Sequence, residues 1–303
     1  MQKLTTEQIR GFVSHRTLDS TRMFSQDLAW PRVSIVTPSY NQGRFLERTI
    51  LSVLNQGYPN LEYIIMDGGS TDGSTAVIQK YREHITHWVS EKDEGQADAI
   101  RRGFDRSTGT ILAYLNSDDV YLPATIWRVV RHFQRQPNTD VVYGNQYLTD
   151  EEDQIISERR YTPYLPAVSR LGFLYGGFGI SQPTAFWTRG IYAKVGGVEP
   201  GYVHCMDTDL FVRFALHRAR YHYIREYLAG ARIHQASKTC TLRSVARQEG
   251  RLIHARYRRH KSRLLAFSCL TLLRMVRLGG HVVQGDAAYL LRRHFASQVA
   301  WVP

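Results

Sequence analysis

The 303-residue sequence has few cysteines and no long apolar run. Its three cysteines, Cys205, Cys240 and Cys269, are scattered and odd in number, which argues against a disulfide framework and favours a reducing compartment. The N-terminus lacks the apolar core of a signal peptide, and no stretch approaches the roughly 20 apolar residues of a spanning helix. We therefore expect a cytoplasmic protein, with peripheral attachment to the cytosolic face of the inner membrane as the alternative.

Two common nucleotide-binding motifs are missing as well. The sequence contains no Gly-x-Gly-x-x-Gly and no Gly-Lys-Ser/Thr of the Walker type, which argues against a dinucleotide fold and against a P-loop. Hydrophobic residues make up 43% of the chain, which is enough for a sizeable core. A chain of this length can hold one large α/β domain or two smaller ones.

Positive charge is abundant but unevenly placed. The net charge is +12, and residues 241–303 alone hold twelve Lys or Arg residues and only two acids. This basic tail therefore predicts an anionic partner, either lipid headgroups or nucleic acid. The mostly apolar stretch from Leu264 to Leu273 has arginines on both sides and suits a helix lying in the headgroup plane. An ordinary helix packed on the rest of the protein is an equal alternative.

Apolar runs alternate with helical patterns between residues 31 and 143. The predicted strands are 31–38, 61–66, 85–89, 111–115 and 140–143, and Pro123 is predicted to open a helix. Such a β-α-β-α order with short connections is typical of a parallel sheet covered by helices. We accordingly divide the chain into an N-terminal extension (1–30), an α/β domain (31–240) and a helical basic tail (241–303).

Three predicted strands end in polar loops. These loops contain Ser39-Tyr40-Asn41, Asp67-Gly68-Gly69-Ser70 and Asn116-Ser117-Asp118-Asp119. The carboxyl ends of strands in such sheets converge on one edge, where ligands bind. Asp118 and Asp119 repel each other, so a divalent metal with oxygen ligands is expected there. A helix-capping turn before Pro123 is the alternative.

Two further segments carry candidate groups. A helix is predicted to begin at Met206, with Asp207 and Asp209 in its first turn. These acids either interact with the helix dipole or present one carboxylate to the cleft as a base. His234 follows a short predicted strand, and an isolated histidine of this kind is more often structural than functional.

Four of these segments, in this order, closely resemble glycosyltransferase family 2 enzymes with the GT-A fold. They are Val33–Asn41, Asp67–Gly73, Leu115–Asp119 and Met206–Leu210. The resemblance covers about residues 31–240. It implies a Rossmann-like, mostly parallel sheet flanked by helices. It also implies inverting transfer of a sugar from a nucleotide-diphosphate donor to a saccharide or lipid-linked acceptor, in polysaccharide or glycolipid biosynthesis.

The resemblance also implies roles for individual residues. Asp207 matches the catalytic base, while Asp119 and His234 match residues at a Mn²⁺ or Mg²⁺ ion on the diphosphate. The positions expected to contact the nucleotide or the donor sugar are Pro38, Tyr40, Asp67, Asp93, Gln96, Ser117 and Asp118. The base would take the proton of the attacking hydroxyl, and the metal would stabilise the leaving diphosphate.

The sequence departs from the family pattern at several positions. Asn116 replaces the first acid of the usual Asp-x-Asp, and Gly68 stands where many relatives carry a second Asp. Met206 replaces the usual Glu before the catalytic Asp, so the choice between Asp207 and Asp209 stays open. The Gln-x-x-Arg-Trp motif of processive synthases is missing, and we therefore expect addition of a single sugar.

Two other functions compete with this interpretation. A sugar nucleotidyltransferase on a similar sheet usually has a Gly-rich loop with basic residues after its first strand, where this chain has 38–41, Pro-Ser-Tyr-Asn. A nucleic-acid-binding protein is suggested by charge alone. The arginines of the tail alternate with leucines rather than with stacking aromatics, so we expect no nucleic-acid partner.

Overall fold

In a computed structural model of the protein, residues 29–175, 179–257 and 263–291 are described. The predicted N-terminal extension falls outside these ranges except for its last two residues. Residues 258–262 and 292–303 of the basic tail and residues 176–178 also lie outside the described part of the chain.

The centre of the fold is a nine-stranded sheet with the order β3-β2-β1-β4-β8-β6-β9-β5, and β7 pairs with β6. The half β3-β2-β1-β4 is parallel, as expected. Beyond β4 the sheet is mixed, because β8 runs antiparallel to both of its neighbours while β6 and β9 are parallel. The strands are β1 Val33–Ser39, β2 Leu61–Asp67, β3 His87–Ser90, β4 Ile111–Tyr114, β5 Val120–Tyr121, β6 Val141–Thr149, β7 Ile155–Arg159, β8 Phe186–Thr188 and β9 Tyr221–Arg232.

Helices cover both faces of the sheet. Successive residues of β1 point to opposite sides, so that Ile35 packs with Leu46 of α1 and Val36 packs with Phe104 of α3. Burial on both faces explains why β1, β2 and β4 are mostly apolar and are buried at almost every position. The helices are α1 Gly43–Leu54, α2 Ser74–Lys80, α3 Gln96–Arg106, α4 Thr125–Arg135, α5 Pro166–Tyr175, α6 Arg189–Lys194, α7 Met206–Leu216, α8 Lys238–Thr241, α9 Arg243–Tyr257 and α10 Arg263–Val283.

The strand register brings the polar loops to one edge. Ser39 at the end of β1 lies beside Asp67 at the end of β2, and Asp67 lies beside Ser90 at the end of β3. On the other side of β1, Val36 pairs with Tyr114 near the end of β4. The predicted convergence of the strand ends is therefore confirmed for the parallel half of the sheet.

The acid pair does not lead directly into a helix. Strand β5 follows Asp119 and pairs with β9, and α4 begins only at Thr125. Its N-cap residue is Ala124, which has a positive φ of 62° and makes no side-chain capping hydrogen bond. The prediction that a helix opens at Pro123 was thus early by two residues, and the alternative of a capping turn has no support in this geometry.

Several predicted strands differ in extent from the observed ones, and the fifth, predicted over 140–143, is the nine-residue β6 Val141–Thr149. The third strand is His87–Ser90 rather than residues 85–89. The strand before His234, predicted to be short, is the 12-residue β9. Its length comes from pairing with both β6 and β5, which are contacts that the local sequence pattern does not report.

The described part of the basic tail packs on the α/β domain. Ile253 of α9 is fully buried in the core cluster that contains Phe211 and Phe214 of α7. Leu273 of α10 is 2% exposed, and α10 lies along α5. Across residues 29–175, 179–257 and 263–291, no helix combines the length and the apolar character that crossing a bilayer requires.

Candidate active site

Asp67 is fixed at the end of β2 by hydroxyl and amide donors. Its Oδ1 accepts a hydrogen bond from Ser70 Oγ (2.6 Å), and its Oδ2 accepts from Ser70 N (2.9 Å) and from Ser90 Oγ (2.7 Å). The side chain is 2% exposed overall. A buried carboxylate with donors on both oxygens has one orientation, so it can present a constant acceptor to a bound nucleoside.

Asp93 lies against Gly68. A Cβ atom added to Gly68 would come within 2.8 Å of Asp93 Oδ2, and Asp93 Oδ1 accepts a hydrogen bond from Gly95 N at 2.9 Å. Asp93 therefore occupies the space that a side chain at position 68 would need. This contact gives a physical reason for a glycine at position 68.

Asn116 belongs to a chain of side-chain amides. Its Oδ1 accepts a hydrogen bond from Gln96 Nε2 at 2.7 Å, and its Nδ2 lies 3.4 Å from Gln182 Oε1. Gln182 in turn donates to the backbone carbonyl of Tyr114 at 2.6 Å. The amide that replaces the usual acid thus connects α3 to the turn before β8. Gln96 was predicted from the sequence as a site residue, whereas Gln182 was not.

The acid pair has two different environments. Asp118 Oδ2 lies 3.0 Å from His234 Nε2. Asp119 is 6% exposed, and its Oδ1 accepts the backbone N–H of Arg232 at 3.0 Å. Burial raises the pKa of Asp119 well above its ordinary value, and the neighbouring charge of Asp118 raises it further. The contacts therefore bring His234 to Asp118, while Asp119 is the more deeply buried acid.

Arg232 supplies the positive charge beside these acids. Its Nη1 donates to the backbone carbonyl of Asp118, its Nε donates to Asp153 Oδ1 at 3.1 Å, and its guanidinium lies 4.7 Å from the centre of the Phe45 ring. Burial lowers the pKa of Arg232, and the charges of Asp119 and Asp118 oppose that effect. In the sequence Arg232 stands out only as a neighbour of His234, because its partners Asp153 and Asp118 lie 79 and 114 residues away along the chain.

The residues at the acid pair are of the types that bind divalent cations, and in this structure two of them, Asp118 and His234, are hydrogen-bonded to each other. Two ligand atoms about 2.1 Å from an octahedral ion, at right angles to each other, lie about 3.0 Å apart. Asp118 Oδ2 and His234 Nε2 lie 3.0 Å apart, which matches this separation and is equally an ordinary hydrogen-bond distance. Within the described ranges, no group of three or more His, Cys, Asp and Glu side chains is arranged to hold a metal. Diphosphate oxygens and water would therefore have to complete the coordination, as they commonly do for Mg²⁺.

Asp207 and Asp209 differ sharply in their surroundings. Asp209 is fully buried, and it accepts hydrogen bonds from Arg213 Nε (2.7 Å) and from Tyr257 OH (2.8 Å). Asp207 is half-buried, and its Oδ1 accepts the N–H of Thr208 at 2.7 Å. Burial raises the pKa of Asp207, although the hydrogen bond from Thr208 opposes this shift. Of the two acids, Asp207 is the one that solvent or a ligand can reach.

Tyr114 connects Asp207 with the acid pair. Burial raises the pKa of its phenol well above the ordinary value, and the charges of Asp207 and Asp119 raise it further. Met206, which precedes Asp207, lies in the same buried core cluster as Tyr114, so the start of α7 packs on the face of the sheet that carries the Tyr114 side chain.

Lys238 contacts the loop that leads into α7. Its Nζ donates to the backbone carbonyl of Val203 at 3.1 Å. Lys238 is exposed, but partial desolvation lowers its pKa, and the charges of Glu249, Asp118 and Asp93 oppose this shift. This lysine was not predicted as a site residue. In the sequence, the feature that could have indicated a role for Lys238 is its position four residues after His234.

The remaining predicted residues surround the ends of β1 and β4. Pro38 is buried within β1, whereas the Tyr40 side chain is 63% exposed beside the strand ends. Ser117 is buried, and its carbonyl and that of Asp119 accept from Thr49 Oγ1 at 2.9 and 2.7 Å. Thr49 of helix α1 thus fixes the backbone of residues 117–119.

The sequence matches known proteins over this part of the chain. Residues 34–196 match the family described as Glycosyl transferase family 2. An uncharacterized glycosyltransferase of Nostoc sp. is 33% identical over 129 residues, which is 40% of this chain and 40% of that protein. TuaG of Bacillus subtilis, named for teichuronic acid biosynthesis, is 41% identical over 92 residues, which is 29% of this chain and 36% of that protein. The chain thus spans less than half of the length of each of these two relatives.

Solved structures share the fold. Staphylococcus aureus TarS 1-349 in complex with UDP-GlcNAc superposes with a TM-score of 0.59 at 15% identity, covering 82% of this chain and 72% of that one. A mannosyltransferase from Pyrobaculum calidifontis in complex with GDP-Man and Mn²⁺ gives a TM-score of 0.55 at 15% identity, covering 97% and 88%. At these identities the similarity shows the fold alone, and it confirms the expected GT-A architecture.

Proposed function

The chain belongs to glycosyl transferase family 2, and on this premise we propose that it transfers a single sugar from a nucleoside-diphosphate donor to an acceptor hydroxyl with inversion. One observation carries the proposal. The polar ends of the parallel strands lie beside the loop that carries Asp118 and the buried Asp119, and Met206, next to Asp207, packs in the same core cluster as Tyr114 at the end of β4. A donor and an acceptor could therefore meet between a diphosphate site and a base.

The strand-end loops are proposed to bind the donor nucleotide. Asp67 and Asp93 offer fixed acceptors for base or ribose N–H and O–H groups, and the exposed ring of Tyr40 offers a surface for stacking. Pro38, Gln96, Ser117 and Asp118 are proposed to complete this donor site. The similar structures that contain UDP-GlcNAc or GDP-Man support a nucleotide sugar as the ligand.

Asp207 is proposed as the general base. A carboxylate takes a proton more effectively when its pKa is raised towards neutrality, and burial raises the pKa of Asp207. Attack by the acceptor hydroxyl from the side of Asp207, with the diphosphate leaving on the opposite side, would invert the anomeric carbon. The buried ion pair of Asp209 with Arg213 suits a structural role instead.

Asp118, Asp119 and His234 are proposed to hold Mn²⁺ or Mg²⁺ together with the donor diphosphate. When bound, such an ion neutralises the charge that develops on the leaving group. The Mn²⁺ in the similar mannosyltransferase supports this proposal. Arg232 places a guanidinium beside the same loop and would orient the Asp118 backbone in either case.

We further propose a saccharide or lipid-linked acceptor in polysaccharide or glycolipid synthesis, and contact of the basic tail with an anionic membrane. The relative named for teichuronic acid biosynthesis supports the first part. The membrane contact is supported by exposed apolar side chains on α10 that lie beside arginines. These side chains are Phe267 (68% exposed), Met275 (59%) and Leu278 (53%). Co-sedimentation with lipid vesicles tests the membrane contact. We expect the protein to bind anionic but not zwitterionic vesicles. Binding should be lost in the double variant Phe267→Ser/Met275→Ser and retained in the matched surface variant Ile156→Ser.

Nucleotide-sugar turnover tests the proposed reaction. We would incubate the protein with a panel of UDP-, GDP- and dTDP-sugars, with Mn²⁺, with Mg²⁺ or with a chelator, and measure release of the nucleoside diphosphate. Turnover of at least one donor, dependent on Asp207, is the expected result. Release of pyrophosphate from a nucleoside triphosphate and a sugar phosphate would instead support a nucleotidyltransferase.

A further inference from the structure

Glu249, in helix α9 of the basic tail, holds the loop that leads into α7. Its Oε1 accepts the N–H of Val203 at 2.7 Å, and its Oε2 accepts the N–H groups of His204 (2.9 Å) and Cys205 (2.8 Å). Three consecutive backbone donors therefore converge on one carboxylate. The last of them belongs to the residue that immediately precedes α7, and Asp207 is the second residue of that helix.

We propose that Glu249 is a positioning residue for the Asp207 base. This inference rests on the proposed function. By fixing 203–205, Glu249 sets where α7 begins and thereby where the Asp207 carboxylate lies relative to the donor site. The tail would then be part of the catalytic unit rather than only an attachment segment.

The contact is strong because the carboxylate is charged and sheltered. Glu249 is 8% exposed. Burial alone would raise the pKa of Glu249, but the backbone N–H donors of Val203, Cys205 and His204 outweigh burial and lower the pKa. The charged form is therefore the one that the native structure favours. Hydrogen bonds to a charged acceptor are shorter and stronger than neutral ones.

Helix α9 is itself seated firmly against α7. Glu249, Ile253 and Tyr257 are spaced by four residues and therefore lie on one face of the helix. Ile253 is fully buried in the core cluster with Phe211 and Phe214, and Tyr257 OH donates to Asp209 at 2.8 Å. The carboxylate of Glu249 thus projects from a fixed helix face, which a positioning role requires.

The second acid of the tail provides a matched control. Residues 241–303 contain only Glu249 and Asp286 as acids, and both are buried. Asp286 accepts hydrogen bonds from Arg160 (2.6 Å) and Arg225 (3.2 Å) and contacts His281 (3.1 Å), which tie the end of α10 to the sheet. Both acids anchor the tail, but only Glu249 contacts the loop before Asp207.

The experiment compares Glu249→Gln with Asp286→Asn in the full chain. Gln has the same shape as Glu, but it lacks the charge and directs an NH₂ group at a backbone donor. We expect E249Q to lower kcat by about 10- to 100-fold, because small displacements of a catalytic group cost rates of that order, while the donor KM stays the same. We expect D286N to lower the melting temperature and to leave kcat unchanged. Glu249→Asp keeps the charge on a shorter side chain and should give an intermediate kcat.

Each possible result of this comparison either supports or overturns the positioning role of Glu249. A wild-type kcat in a folded E249Q protein would overturn the proposal. If neither E249Q nor E249D folds, as judged by the loss of a cooperative thermal unfolding transition, Glu249 is a folding residue and the positioning role is wrong. Lack of turnover in the wild-type protein counts against the proposed function alone. In that case, amide exchange at 203–205 decides the inference, since it should be slow in the wild type and fast in E249Q.

Discussion

The two sides of the candidate site are held in place by different means. On the donor side, Asp67 is fixed by Ser70, three residues away, and by Ser90 on the neighbouring strand. On the base side, the loop before Asp207 is fixed by Glu249, 44 to 46 residues later in the chain. The difference shows that one half of the site follows from the geometry of a parallel sheet, whereas the other half depends on how the C-terminal helices dock.

Asp207→Asn tests the base side and should have the largest effect. A general base contributes about 10² to 10⁴ to a rate, and we expect kcat to fall by about 10³-fold while donor binding is retained. Initial rates of nucleotide-sugar turnover and titration with a nucleoside diphosphate would measure the two effects.

The matched variant for this comparison is Asp209→Asn. It leaves the guanidinium of Arg213 without its buried carboxylate, and breaking such a pair costs about 3–5 kcal/mol of unfolding free energy. We therefore expect a lower melting temperature with little change in kcat for the folded fraction. A 10³-fold loss in D209N at unchanged stability would move the base to Asp209.

Asp119→Asn tests the acid pair that lies between the two sides. Asn keeps a carbonyl acceptor for the N–H of Arg232 but removes a charge that would neutralise a cation. Metal stabilisation of a leaving group amounts to several kcal/mol, so we expect kcat to fall by about 100-fold. The activity of the wild type and D119N as a function of Mn²⁺ and Mg²⁺ concentration measures this. Identical metal dependence in both proteins would remove Asp119 from the metal site.

Gly68→Ala tests the donor side. The new Cβ would lie 2.8 Å from Asp93 Oδ2, so the Asp93 carboxylate must move. We expect the donor KM to rise by about 10-fold, which corresponds to about 1.4 kcal/mol, with kcat unchanged. Gly201→Ala is the control, because an added Cβ at that glycine meets nothing within 4 Å. A wild-type KM in G68A would show that the position of Asp93 does not matter for the donor.

The pH dependence of kcat should show the smallest effect. The base acts as a carboxylate, and burial raises the pKa of Asp207 in the folded protein. Activity should therefore fall as the pH decreases through this raised pKa, above the ordinary value for Asp of about 3.9. The residual activity of D207N should lack this acidic limb. An acidic limb that persists in D207N would have to come from another carboxyl group.

Much of the donor side was predictable because its structure is local. The apolar run 61–66 predicted β2, and the polar residues after it predicted a loop at the binding edge. Parallel strands place their carboxyl ends together, so the sequence pattern was enough to predict that Asp67 and the acid pair lie at the same edge. The pairing of Asp118 with His234 was not predictable, because adjacent acids in a sequence look equivalent until one of them is buried.

The sequence by itself determined the alternation of strands and helices in the parallel half, the edge at which polar side chains collect, and the helix that carries Asp207 and Asp209. These features depend on hydrophobic periodicity and on turn residues, which act over a few positions. Only the tertiary structure decided that Asp207 is accessible to solvent and that Asp209 is buried. This difference depends on the partners of Asp209, which include Tyr257 and Arg213. The tertiary structure likewise decided that Glu249 reaches the loop before Asp207, because a contact across 44 to 46 residues is set by helix docking and leaves no local pattern.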